Sequence, residues 1–237
     1  MTNLDMAKLA AGKSSTLTPA VEDYLRALYK LGRRNLPGEP VTTSQMAACL
    51  DVRPASATAM LQKLAALEPP LVAYHKSHGA RLTAAGERAA LALVRCHRLL
   101  ELFLHEKLGY AWDEVHDEAD RLEHVVGPAM VERLAAALGH PARDPHGHAI
   151  PDADLTPIGP AATLLSALPA GCTAVIEHVA DDDPALLRQM AALGLLPGIT
   201  LTVLAEAPAT RVTLGARGAT PLELPADLVA RVFVRAA

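Results

Sequence analysis

Aromatic residues are scarce in this chain of 237 residues: one Trp, four Tyr and two Phe amount to 3%. A core so poor in rings must be filled by Ala, Leu and Val, and a hydrophobic fraction of 51% supplies them. With 20% charged residues, that fraction excludes an intrinsically disordered chain. Cysteine is scarcer still. Cys49, Cys96 and Cys172 stand far apart with no CxxC pair, which argues against a disulfide framework or a cysteine-rich zinc site and fits a reducing cytoplasm. The opening residues MTNLDMAKLAAGKSST lack a continuous apolar stretch, so no secretory signal is read there. The charge-free run from Leu155 to Ile176 has the length of a membrane span. Pro157, Pro160 and Pro169 with Gly159 and Gly171 punctuate it, and a soluble chain is expected. Positive charge is also in deficit, 22 Lys and Arg against 26 Asp and Glu, a net charge of −4. That average does not suggest a nucleic-acid partner.

The average conceals a division. Residues 1–88 hold 11 Lys and Arg against 7 Asp and Glu; residues 89–165 hold 6 against 12, with seven of the ten histidines; residues 166–237 hold 5 against 7. A basic segment, an acidic histidine-rich one and a nearly balanced one imply three parts with different partners. We read domains over 1–88, 89–160 and 161–237.

In the first part, Thr18-Pro19 opens an amphipathic helix over Ala20 to Leu31 that Gly32 is expected to end. Thr42 or Thr43 caps a second helix to Leu50, and a third runs from Pro54 to Leu67 after a four-residue turn. Two short helices joined by a tight turn form a helix-turn-helix. Leu71–Tyr74 and Ala80–Leu82 read as two strands of a β-wing. The second part reads as helices over Thr83–Leu108, Asp113–Val126 and on to Leu138, each closed by glycine. Pro141 to Pro160 reads as a linker. The last part alternates short strands (Cys172–His178, Thr200–Ala205, Arg211–Leu214, Arg231–Arg235) with one helix, Pro184–Leu193, the composition of a small β-barrel.

On a helix of about 100° per residue, His116, Asp120, Glu123 and His124 fall within one face, roughly a 100° arc. His97 and Glu101 form an i, i+4 pair on the preceding helix. Imidazoles and carboxylates on facing helices are how bundles build divalent-metal sites. A solvated acidic face is the bland alternative, since Glu114, Asp117 and Glu118 lie alongside; the periodicity on both helices favours metal. Cys96 points about 100° away from His97 and is read as structural.

The helix-turn-helix with wing, followed by His-Arg-Leu-Leu-Glu (97–101) and Val-His-Asp-Glu-Ala-Asp-Arg-Leu-Glu-His (115–124), resembles the diphtheria toxin repressor family of metal-dependent transcriptional regulators. The resemblance covers nearly the whole chain after the first fifteen residues. It implies a mainly α fold with an N-terminal winged helix-turn-helix, a helical metal-binding and dimerisation domain and a C-terminal SH3-like barrel. It also implies two metal sites per subunit. One would use Asp23 with Asp120, Glu123 and His124. The other would use His97, Glu101 and His116, completed by the barrel, where Asp183 in the Asp181-Asp182-Asp183 run with His178 aligns best. Asp23 and Asp120 replace the methionine and cysteine of the family's iron-responsive branch, and hard oxygen ligands favour Mn²⁺, with Fe²⁺ the alternative. Arg26 stands where a manganese-branch member can carry a glutamate, which speaks against that branch's closely spaced ion pair. His146 and His148 read as loop residues.

For DNA, the helix from Pro54 would enter the major groove. Arg53, Ser56, Thr58 and Gln62 would approach bases or phosphates, with Ala55 and Ala59 permitting close contact, while Lys63, Lys76 and Arg81 would hold phosphates. The expectation is a cytoplasmic, homodimeric, Mn²⁺- or Fe²⁺-dependent regulator of metal-homeostasis genes on a palindromic operator, without enzyme activity. A metallohydrolase built on the same cluster is the rival, opposed by the lack of an HExxH pattern. A peptide-binding role for the barrel is a third possibility.

Overall fold

Thr18 precedes helix α1 (Pro19–Arg34), with the proline at the first turn where its missing N–H costs nothing. The helix runs past Gly32 and ends beyond Arg33 and Arg34, whose charges suit the negative end of the helix dipole. A computed structural model describes residues 17–36, 38–156, 162–205, 210–215 and 220–236. The chain folds as two compact units. Of the described residues, the first holds those up to 97 with 122–137 and 151–156; the second holds 98–121, 138–150 and those from 162 onward.

In the first unit, Thr42 and Gln45 form a reciprocal capping box at the start of α2 (Thr43–Cys49). A turn through Asp51, at φ 49°, leads to α3 (Pro54–Ala65). Strands β1 (Val72–His75) and β2 (Gly79–Leu82) pair antiparallel as the wing. A bridge between Val41 and Ala80 ties the segment before α2 to that wing. Gly79, at φ 91°, is required there because an added Cβ would meet the Val41 carbonyl oxygen at 2.4 Å. The core is aliphatic, as the composition demands: Leu25, Met46, Leu61, Leu64, Leu71 and Leu91 are fully buried.

Helix α4 (Ala84–Leu108) gives its first part to this unit and the remainder to the second. The next helix, α5, covers only Val115–Leu122, shorter than the Asp113–Val126 read from periodicity. Glu123 and His124 therefore lie in the turn after the helix, not on its face. Val125 and Val126 continue the apolar pattern, but the Gly127-Pro128 pair that follows disfavours helical backbone, and α6 (Pro128–Ala137) starts afresh.

The second unit carries an SH3-like barrel. Strands β3 (Thr163–Leu164), β4 (Thr173–Val179), β5 (Thr200–Ala205), β6 (Thr210–Leu214), β7 (Leu222–Leu224) and β8 (Val232–Ala236) form one antiparallel sheet in the order β3-β8-β4-β5-β6-β7. Helix α7 (Pro184–Leu193) ends on Gly194 in the left-handed region, and a short α8 spans Ala226–Val229. Ile176, Leu187, Met190, Leu201, Val203 and Val232 fill the interior. Residues 142–150 of the segment expected to be a linker are folded onto the barrel: Arg143 bridges Ala149, and Val179 N–H donates to the His146 carbonyl at 3.0 Å.

Candidate metal centres and nucleic-acid surface

Within the first unit, α1 and the turn after α5 bring together Asp23, Glu123 and His124, each offering a ligand atom within 4.8 Å of the others. His124 Nε2 lies 3.4 Å from Asp23 Oδ1 and 3.8 Å from Glu123 Oε1. Its other nitrogen, Nδ1, is 2.7 Å from Glu22 Oε2. Glu22 and Glu123 are both buried, an expensive position for ionised carboxylates unless cations or donors surround them. At Glu123, Arg26 Nη1 stands 2.9 Å and His97 Nδ1 2.8 Å from Oε2. His97, expected in the other site, thus meets Glu123 here. The buried Cys96 thiol is pushed up to about 12, first by burial and then by the charges of Glu123 and Glu22. It stays protonated at neutral pH in the metal-free protein.

Within the second unit, Glu101, His116 and Asp181 form another group of three. His116 Nδ1 is 2.9 Å from Glu101 Oε1 and 3.9 Å from Asp181 Oδ2, while its Nε2 lies 3.9 Å from Asp120 on the same helix. The barrel contributes Asp181 to this group. Asp183 is engaged otherwise: it is the N-cap of α7, with Oδ1 accepting from the N–H groups of Ala185 and Leu186 at 2.9 and 3.2 Å. An aspartate directly before Pro184 is the favoured cap arrangement, and that sequence signal points to capping. His178 stacks on Phe233 with ring centroids 4.4 Å apart. Burial, then the neighbouring His148, pushes its pKa down to about 3, so it is a neutral ring.

Comparison with known proteins meets this geometry. The model of the iron dependent repressor N-terminal DNA binding domain matches residues 16–80, that of the iron dependent repressor metal binding and dimerisation domain matches 83–152, and the FeoA domain matches 163–236. The iron-dependent repressor IdeR of Mycobacterium tuberculosis is 31% identical over 232 residues, covering 92% of this chain and 97% of that protein. The chain belongs to the iron-dependent repressor family. A solved manganese-dependent transcriptional repressor in complex with manganese superposes with a TM-score of 0.83 at 37% identity, covering 92% of this chain and all of the other. The HTH-type transcriptional regulator MntR of Oceanobacillus iheyensis is 33% identical over 117 residues, 49% of this chain and 76% of that protein. The family is one of metal-dependent DNA-binding transcriptional repressors and not of enzymes, so the hydrolase alternative loses its footing. No helix among the described residues is long and apolar enough to cross a membrane.

In the family's DNA-binding domain, α3 turns Ala57, Leu61 and Leu64 inward. That leaves Arg53, Ala55, Ser56, Ala59, Gln62 and Lys63 exposed and Thr58 half-buried. Thr58 donates its hydroxyl to the Pro54 carbonyl at 2.9 Å, so only its acceptor and methyl face outward. On the wing, Lys76 is exposed, while the Arg81 guanidinium donates to the Gly38 carbonyl and so braces the wing as well as carrying charge. Sequence reasoning missed Glu22 because an acid in a helix's first turn is ordinarily a favourable dipole partner. Its burial against His124 became visible only in the fold.

Proposed function

We propose that this chain is a Mn²⁺-activated repressor, with Fe²⁺ as the competing physiological ion, acting as a cytoplasmic homodimer on a palindromic operator of metal-homeostasis genes. In this reading residues 1–88 read DNA, 89–160 sense metal and dimerise, and 161–237 form the accessory barrel. The observation that carries it is the Asp23, Glu123 and His124 group, in the same unit as the helix-turn-helix. One ion would sit on Asp23, Glu123 and His124, with Glu22 orienting the imidazole through its 2.7 Å contact. A second would sit on Glu101, His116 and Asp181, with Asp120 beside His116. The oxygen-rich donor sets suit Mn²⁺ and Fe²⁺ better than soft copper or cadmium.

An ion between α1 and the turn after α5 would fix the helix that leads into the helix-turn-helix. Dimer symmetry would convert that geometry into a set spacing of the two α3 helices. Regulation is then a coupling free energy: metal binds the DNA-competent geometry more tightly, and DNA tightens metal by the same factor. The test is selection of binding sites from random duplexes in Mn²⁺, followed by anisotropy titrations with Mn²⁺, Fe²⁺, Zn²⁺ and chelator. We expect binding that chelator abolishes and Mn²⁺ restores. Affinity indifferent to metal and chelator overturns the switch.

A further inference from the structure

The segment Ala142–Ile150 makes a tight hairpin in the second unit, closed by Gly147 N–H donating to the Asp144 carbonyl at 3.1 Å and by the Arg143–Ala149 bridge. Around this turn, Asp144, His146 and His148 each bring one ligand atom within 4.8 Å of the others. His146 is fully buried and Asp144 nearly so. Among the described residues, Asp144 Oδ2, His146 Nδ1 and His148 Nδ1 are all buried without a hydrogen-bond partner, with His148 Nδ1 3.3 Å from Asp144 Oδ2. Three converging buried polar atoms left unsatisfied are rare in folded proteins, because each costs the free energy of its lost hydration.

The surroundings fix what these atoms offer. His146 Nε2 donates to the Trp112 carbonyl at 2.9 Å, which sets the tautomer and leaves Nδ1 with a bare lone pair. Trp112 Nε1 in turn donates to the Pro145 carbonyl at 3.0 Å, holding the hairpin against that ring. The His148 backbone N–H donates to Asp144 Oδ1 at 2.9 Å, which aims Oδ2 towards the two imidazoles. The nearby cation, Arg98, keeps Nε 3.5 Å from Asp144 Oδ2 and spends Nη1 on the Ala149 carbonyl. A donor set of two imidazoles and one carboxylate suits a first-row divalent cation.

This group adjoins the one formed by Glu101, His116 and Asp181. Asp181 Oδ2 lies 3.9 Å from His116 Nδ1 and 3.7 Å from His148 Nδ1. Glu101 Oε1 lies 2.9 Å from His116 Nδ1 and 3.9 Å from His146 Nδ1. Each of these carboxylates therefore faces one histidine of either group, the placement of a bridging ligand in a two-metal site. We propose that the hairpin is itself a metal site, so that the second unit holds a pair of divalent ions, one on Glu101, His116 and Asp181 and the other on Asp144, His146 and His148. The inference rests on the metal-binding reading above and deepens it: the added ion locks the hairpin to the barrel.

Equilibrium dialysis of the full-length protein against Mn²⁺, with Mn per chain counted by mass spectrometry at the plateau, tests it. His148→Ala and His116→Ala should each lose one equivalent and the double variant two. The low-temperature electron paramagnetic resonance of the wild type should carry an exchange-coupled Mn²⁺ pair signal that either single variant removes. Asp144→Asn, judged by circular dichroism to be folded, should repeat the loss seen in His148→Ala. A wild-type count in both hairpin variants, or a double variant losing only the one equivalent each single variant loses, overturns the pair. These counts do not read DNA, so they separate this inference from the repressor reading, which fails instead on metal-indifferent DNA affinity.

Discussion

Arg26 holds a guanidinium nitrogen 2.9 Å from Glu123 Oε2, so a fixed cation already sits on a carboxylate of the first candidate metal group. The same Nη1 is 2.8 Å from His97 Nδ1, and that nitrogen can accept from Arg26 or donate to Glu123 but not do both. A guanidinium next to a divalent ion repels it, while in the metal-free state it neutralises buried acid.

Replacing this cation should therefore act oppositely on the two states. Arg26→Gln is expected to destabilise the metal-free protein by about 1–3 kcal/mol, since it leaves the buried Glu123 short of a charge-assisted donor. Mn²⁺ should then raise the melting temperature more in the variant than in the wild type. Thermal melts with chelator and with saturating Mn²⁺ read both effects. An unchanged metal-induced shift would show that Arg26 and the ion do not share the carboxylate.

Asp23 is the member of that group whose loss should least disturb folding, because its side chain is 38% exposed whereas that of Glu123 is 2% exposed. Asp23→Ala is expected to raise the Mn²⁺ concentration for half-maximal DNA binding at least about tenfold, the cost of roughly 1.4 kcal/mol of ligation. Asp23→Met together with Asp120→Cys puts sulfur in place of one oxygen donor of this group and of the carboxylate beside His116, and should move the preference from Mn²⁺ towards Fe²⁺. Anisotropy titrations in each metal measure both, and wild-type selectivity in the double variant would remove the hard-ligand argument.

The parts legible in the sequence were those set by local signals. Thr42 with Gln45, Pro19, Pro54 and Pro184 mark helix starts, and the alternation in β4 and β5 marks strands, so the helix-turn-helix and barrel emerged from the residues. What escaped is set by tertiary contact. Val125 and Val126 extend the apolar rhythm of α5, so periodicity carried the helix too far and put Glu123 and His124 on a face they do not share. The hairpin at 142–150 has loop composition, and its internal bonds together with those to β4 give it a shape. Asp181 and Asp183 look alike in an acidic run; the cap position claims the second and leaves the first to face His116.

Gly147 tests how firmly that hairpin is held. It sits at φ 89°, and a Cβ there would come 2.2 Å from the Glu177 carbonyl oxygen, a contact with backbone that cannot swing away. Gly147→Ala should combine left-handed strain with the clash and cost upwards of about 1–3 kcal/mol. Limited proteolysis should then cut between residues 142 and 150 in the variant but not in the wild type. Equal protection in both would mean that the hairpin's packing on β4 contributes nothing to its order.

Gln62 and Lys63 are adjacent and exposed on α3, yet they should fail differently. Gln62 carries an amide able to pair with the donor and acceptor edge of an adenine, and only base contacts of that kind discriminate sequence. Lys63 carries a point charge suited to phosphate. Gln62→Ala is expected to cost about 1–3 kcal/mol on the selected operator and little on random duplex, flattening specificity at one position per half-site. Lys63→Ala should weaken both DNAs alike and lower the slope of log affinity against log salt by about 1 for each phosphate released. The first 88 residues carry 11 Lys and Arg against 7 Asp and Glu, so non-specific attraction is modest and a single lost phosphate contact should stand out. Operator and random-sequence titrations across a salt series distinguish the two roles. If Gln62→Ala weakened both DNAs equally, α3 would be positioning the protein on the backbone and the base-reading residues would lie nearer Arg53 and Ser56.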